Sequence, residues 1–250
     1  VGSEMCIRDR NIDTRVYEIE KRGMEAADKV ITVSDLTRNI VITKYGIDPS
    51  KVVTVHNAVD FSGRSNVNVE RGVKDKVVTF LGRITFQKGP EYFIEAAAKV
   101  LKRCDNVRFV MAGSGDMMNR SIRQVARLGI SDRFHFTGFL RGKEVQEMFA
   151  LSDVYVMPSV SEPFGISPLE AMRTGVPSVI SKQSGAAEVL KYAFKVDFWD
   201  VDAMADEIYA LLKYPALANF ASKYGFDEVN TLKWNNAALK IKNVYESVIK

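Results

Sequence analysis

Two cysteines in 250 residues, Cys6 and Cys104, are too few for a disulfide framework, and a reducing compartment is the expectation. No apolar run approaches the ~20 residues a membrane helix needs, and no secretory signal pattern is legible, so the expected location is the cytoplasm. Histidine is scarce as well. His56 and His135 lie in strand-like segments without metal-ligand spacing, which points to core or loop roles. Nor does one charge dominate: 35 Lys and Arg against 31 Asp and Glu leave +4, too little for a nucleic-acid binder. Cations spread along the chain instead suit an anionic small molecule. The stripe Arg120, Arg123, Arg127 reads as a solvated helix face. What is present is globular in kind, 46% hydrophobic and 26% charged, enough for one large core or two smaller ones.

Residues 1–10, VGSEMCIRDR, lead into no periodic pattern. They resemble a tagmentation sequencing adapter translated in one frame, which implies that the reading frame was cut upstream. They are set aside from the fold, and Cys6 with them.

From Asn11 onward, strand-like and helix-period segments alternate with short loops, the pattern of a parallel sheet flanked by helices. KVITV (29–33) and KVVTVHN (51–57) bracket a helix that Ser34 can cap and Gly46 can end, giving a β-α-β fragment within 11–60. The polar, aperiodic stretch 61–75 reads as a linker. A second series follows over 76–228: strands VVTFLG, VRFVMAG, RFHFTG, DVYVMP and PSVIS, separated by helices near 90–103, 117–128, 142–151 and 167–174. Five strands with crossover helices predict an α/β, doubly wound, Rossmann-like domain, with 229–250 as a closing helix.

Ligands of such sheets bind beyond the carboxyl ends of the strands, so three loops matter. In RITFQKGPEYF, Arg83 and Lys88 flank a loop and Pro90 suits the first position of a helix, a favourable anion site. MAGSGDMM invites a dinucleotide reading, but Met118 stands where the third glycine belongs, so Gly113 and Gly115 are assigned to a tight strand-to-helix turn. SEPFGISPLEAM sets Glu162 and Glu170 eight positions apart. Ser167 as N-cap, Pro168 at N1 and Glu170 at N3 spell a capping box, while Glu162 sits in a loop with no such structural role. Gly165 permits close backbone approach.

The E-x7-E spacing of Glu162 and Glu170, GRITFQKG before it and SGAAEVL after it resemble the retaining GT-B glycosyltransferases of family 4, group 1 type. The resemblance runs from about residue 26, through ADKVITVSDLTRNIVITKYGIDPSKVVTVHNAVD, to the closing KWNNAALKIKNVYESVI. It implies that 11–60 is a remnant of an N-terminal acceptor domain and that 76–228 binds a nucleotide-sugar donor. Arg83 and Lys88 would hold the diphosphate and neutralise charge on the leaving group. Glu170 would bind the ribose hydroxyls, and Glu162 the donor sugar. Amides around Phe164, Gly165 and Ile166 would complete those contacts, while Phe139 and Leu140 would lie against the base. Glu188 matches an acid of the family pattern usually written with two glycines, the first of which is Ser184 here. HNAVD stands where the family often has proline-asparagine-glycine, and KYAFKVDFWDVD replaces a usual glycine-rich turn.

The implied reaction is sugar transfer from a nucleotide-sugar to a carbohydrate, lipid or protein acceptor with retained anomeric configuration. No cofactor or metal is required, and no nucleic acid is involved. A peripheral contact at the inner face of the membrane would run through the missing domain, without which the chain is expected to be inactive. Asp200 and Asp202 form an Asp-x-Asp, but Asp202 precedes a helical segment and reads as its N-cap. Two carboxylates also fit a glycosidase, which would not need the cationic loop. The alternatives kept are a noncatalytic nucleotide-sugar-binding module and a nucleotide-sugar epimerase of the same architecture.

Overall fold

The structure, a computed structural model, describes residues 13–59, 69–72 and 74–249. Its main feature is a six-stranded sheet: β3 (Lys76–Leu81), β4 (Val107–Ala112), β5 (Phe134–Gly138), β6 (Val154–Met157), β7 (Ser178–Ser181) and β8 (Phe194–Val196). All neighbours are parallel, in the order β5-β4-β3-β6-β7-β8. The chain therefore builds outward from β3 on one side, then crosses back to continue from β6 on the other. The break between β3 and β6 is the topological switch point, where the loops after two adjacent strands diverge and leave a crevice.

Five of these strands coincide with the expected segments. The sixth does not: β8 lies inside KYAFKVDFWDVD, whose three paired residues carry no period of their own and become a strand by pairing Phe194–Val196 with Val179–Ser181. Crossover helices are α3 (Pro90–Leu101), α4 (Met118–Arg127), α5 (Lys143–Leu151), α6 (Ser167–Arg173) and the short α7 (Ala186–Val189). They are followed by α8 (Val201–Lys213), α9 (Pro215–Val229) and α10 (Trp234–Glu246). Asp200, not Asp202, is the N-cap of α8, accepting from the Ala203 amide at 3.0 Å. Asp202 instead pairs with Lys99 of α3 at 2.6 Å.

Both sheet faces are covered, so the strands read as continuous apolar runs. On one face α3 turns Phe93, Ile94, Ala96, Ala97 and Val100 inward, and its alanines let the helix lie close to the sheet. Phe93 meets Phe80, Phe109 and Phe134 at ring separations of 5.7 to 5.8 Å. On the other face Phe149, Tyr155, Leu169, Met172, Ile180 and Val229 form a second cluster.

The amino-terminal piece holds α1 (Thr14–Ala26), β1 (Val30–Thr32), α2 (Asp35–Tyr45) and β2 (Val52–Thr54), with β1 and β2 parallel. Ser34 caps α2, its hydroxyl accepting from the Thr37 amide, and Gly46 closes the helix at φ +70°, both as its sequence predicts. Helix α1, none of whose residues is buried, was not anticipated; it seats Tyr17 against Tyr45 at 4.9 Å. Residues 1–10 and most of the expected linker lie outside the described residues. The chain leaves this piece through Val59, which is buried in the second cluster and whose amide donates to the Leu232 carbonyl at 3.2 Å.

Candidate nucleotide-sugar site

The two loops at the switch point are locked together by glycine. After β3, a one-turn helix (Phe86–Lys88) ends at Gly89, φ +65°, where a Cβ would lie 2.1 Å from the Pro158 carbonyl of the loop after β6. The Val160 amide donates to the Gln87 carbonyl at 2.9 Å across the same seam. Gly113 and Gly115 do more than turn the chain: Cβ atoms there would lie 1.8 Å from Gly82 O and 2.2 Å from Ile84 O. They let the loop after β4 pack flush on the loop that carries Arg83.

Lys88 and Glu162 come together as an ion pair across the switch point, with Glu162 only 7% exposed. A cation and a carboxylate assigned to different parts of a ligand are thus each other's partner in the free chain. Arg83 is exposed, and its guanidinium donates to Gln87 Oε1 at 3.4 Å. Beside it opens a cavity of about 430 Å³ whose wall includes Gly82, Arg83, Ser114, Phe139, Leu140, Gln146, Glu170 and Arg173. Phe139, 61% exposed, is backed by the Arg141 guanidinium 5.1 Å from its ring centroid.

The expected capping box is not formed. Helix α6 starts one residue earlier, with Ile166 in the cap position and no side-chain capping hydrogen bond. The Ser167 hydroxyl accepts from Tyr155 instead, at 2.7 Å. Burial pushes the Tyr155 phenol up from its ordinary value. Glu170 is left facing the cavity, its carboxyl raised above the usual range by burial and opposed by the neighbouring Arg173. Gly165 sits at φ +92°, Phe164 is buried against the second cluster and Ile166 is 41% exposed. Arg83, Phe139, Leu140 and Glu170 therefore share one cavity, while Lys88, Glu162 and the 164–166 turn lie outside its wall.

A larger cavity of about 530 Å³ opens on the sheet face of β3–β5. Its walls are Val77, Val110, Phe134 and Met148, and its rim arginines are occupied: Arg108 and Arg133 by Asp75, Arg71 by Asp153.

The model of the group 1 glycosyl transferases matches residues 65–227, and that of glycosyltransferase family 4 matches residues 7–62. The chain belongs to the group 1 glycosyltransferases. It is 34% identical over 252 residues to an uncharacterized glycosyltransferase of Methanocaldococcus jannaschii, covering 92% of this chain and 63% of that one. The chain spans roughly half to two thirds of the length of the curated relatives it matches. Among solved structures, HepE of Anabaena in complex with UDP and glucose superposes with a TM-score of 0.83 at 20% identity, covering 96% of this chain and 69% of that one. The C-terminal domain of a group 1 glycosyl transferase from Francisella tularensis gives 0.61 at 24% identity, covering 71% of this chain and 95% of that domain. The fold is of the GT-B type.

One feature of this glycosyltransferase chain escapes sequence spacing altogether. Asp35, His56 and Glu188 present polar atoms within 4.8 Å of one another, although 153 positions separate the first from the last. Both Glu188 oxygens already accept hydrogen bonds, from the Asp35 amide at 2.8 Å, the Leu36 amide at 2.7 Å and His56 Nε2 at 2.8 Å. Asp35 in turn accepts from the Thr54 hydroxyl at 2.6 Å. These carboxylates are engaged as helix-capping and pairing groups. Among the described residues no helix is long and apolar enough to cross a membrane.

Proposed function

We propose that this chain binds the donor of a glycosyltransferase that moves a sugar from a nucleotide-sugar to an acceptor with retention of anomeric configuration. The observation that carries the reading is the cavity at the switch point, with Arg83 on one wall and the half-buried Glu170, which makes no capping bond, on another. The likeness in fold to HepE, solved with UDP and glucose, supports a uridine nucleotide as the probe.

In this reading the domain over 76–228 holds the donor, while 11–60 and the closing segment 229–250 lie beside it. Arg83 takes the diphosphate. Lys88 joins it by exchanging Glu162 for a phosphate oxygen, an exchange that frees the Glu162 carboxylate to accept from the hydroxyls of the sugar. Glu170 receives the ribose hydroxyls, and Phe139 and Leu140 lie against the base. Amides of Phe164, Gly165 and Ile166 complete the sugar and phosphate contacts. As the glycosidic bond breaks, negative charge grows on the departing diphosphate, and the two cations drawn onto it lower that barrier without a metal.

Calorimetry with UDP in the presence of a chelator tests this. Arg83→Ala is expected to weaken binding by about 1.5 to 3 kcal/mol, the range for one charged hydrogen bond. Added salt should weaken it further. Binding that required magnesium and ignored Arg83→Ala would place the nucleotide elsewhere.

A further inference from the structure

The loop that carries Glu162 is itself held by a neighbour. The Glu162 amide donates to Gln183 O at 3.0 Å, the Gly185 amide to Glu162 O at 3.1 Å and the Ala186 amide to Phe164 O at 2.7 Å. This short ladder leads directly into α7, and α7 carries Glu188. From there the Glu188 carboxylate reaches across to the amino-terminal piece, where it takes the first two amides of α2 and the His56 ring. The backbones are in close contact at the same place: a Cβ on Gly185 would lie 2.5 Å from Ser34 Cβ and 2.4 Å from Pro163 O. The His56 and Phe164 rings are 6.2 Å apart.

We infer that Glu188 is a positioning residue: by clamping the start of α2 and the His56 ring, it fixes the 162–165 loop, and with it Glu162, relative to the amino-terminal piece. The physical case has three parts. A carboxylate at a helix start is stabilised by free amides and by the helix dipole. Its two oxygens are shared among three donors on two segments, so it cannot follow one segment and leave the other. And within α7 only Ala187 separates Ala186, bonded to the Glu162 loop, from Glu188. The charged groups facing the junction are Asp35, held by Thr54, and Lys233 and Lys240, which line the cavity next to His56. The inference rests on the reading of Glu162 as the group that meets the donor sugar.

The test separates clamping from bulk stability by comparing UDP with UDP-glucose on the whole chain, alongside residue-resolved amide exchange. Glu188→Ala is expected to raise exchange at Asp35 and Leu36, whose acceptor is gone, and also at Gly185 and Ala186, by about tenfold or more. UDP affinity should fall by no more than about threefold, through the phosphate contacts of the same loop, while UDP-glucose affinity falls by about tenfold or more because misplacement of Glu162 is added. Glu188→Gln, which keeps an acceptor for the α2 amides, should recover part of the UDP-glucose affinity. Faster exchange confined to Asp35 and Leu36, or equal losses for the two ligands, would overturn the inference. If the unmodified chain bound neither ligand, the donor reading would fall, and the exchange at Gly185 and Ala186 would still decide the clamp. Should Glu188→Ala not fold, His56→Ala provides the same measurement: it removes one of three donors, and unchanged exchange at Gly185 and Ala186 would count against the clamp.

Discussion

Glu170 is a carboxylate with more burial than partners. Its pKa lies above the ordinary 4.5 because burial penalises the charge, and Arg173 only partly compensates. A folded-state pKa above the unfolded one means that the ionised group costs stability at neutral pH, a cost that disappears as pH falls through the ordinary carboxyl range. Glu170→Gln should therefore raise the melting temperature at pH 7, and the gain should shrink towards pH 4. The same substitution should weaken UDP by about 1 kcal/mol, because a neutral amide replaces an ionised acceptor. Parallel thermal melts at the two pH values and a UDP titration check both halves; a loss of stability at pH 7 would restore a structural role to Glu170. The sequence pattern around it spells a cap that the protein does not use. Tyr155, twelve positions away on β6, takes the Ser167 hydroxyl, and no local pattern could show that competition.

At the scale of elements, the turn between β3 and α3 decides where the cations stand. Gly89 joins the one-turn helix of Phe86–Lys88 to α3 in a left-handed conformation against the Pro158 carbonyl. Gly89→Ala has no room and an unfavourable φ, and should destabilise the domain by about 1 to 3 kcal/mol. Because the close seam it permits aligns Lys88 with Glu162, the substitution should also weaken UDP binding, measurable as a lower denaturation midpoint together with a raised Kd. A variant with unchanged midpoint would mean that the loops are free to separate. Helix α3 and strands β3 to β7 were legible because each repeats its period over enough residues: apolar positions in α3 return on one face, and the strands are apolar runs bounded by turn residues. Strand β8 was not, because three residues bear no period and their extended form is imposed by β7.

Across the whole molecule, Asp153 ties the sheet to the segment that enters it. Its carboxylate pairs with Arg71 and Lys76 and accepts from the Val77 amide at 2.8 Å. Burial alone would push its pKa up, but these partners outweigh burial and hold it below the ordinary 3.8. A depressed folded pKa contributes stability that is complete above the ordinary value and is lost as pH falls through the folded one. Asp153→Asn should thus cost about 1.5 to 3 kcal/mol at pH 7, and the difference from the unmodified chain should close below pH 3.8. Urea titrations at neutral and acid pH give the comparison, and a pH-independent difference would show that shape, not charge, is what Asp153 supplies.

Local order is where the sequence alone was decisive. Alternating strand and helix periods specify a doubly wound sheet, Ser34 and Gly46 specify the ends of α2, and the resemblance carried by the GRITFQKG and SEPFGISPLEAM loops pointed to the family whose model matches residues 65–227. These are properties of neighbours along the chain, and hydrophobic periodicity and backbone stereochemistry act at that range. Tertiary structure alone decided the pairings: Lys88 with Glu162 across 74 positions, Ser167 with Tyr155 in place of a cap, and Glu188 with the start of α2 and His56. A hydrogen bond or an ion pair depends on distance in space and on burial, and for residues on different strands both are set only once the sheet has assembled in its order.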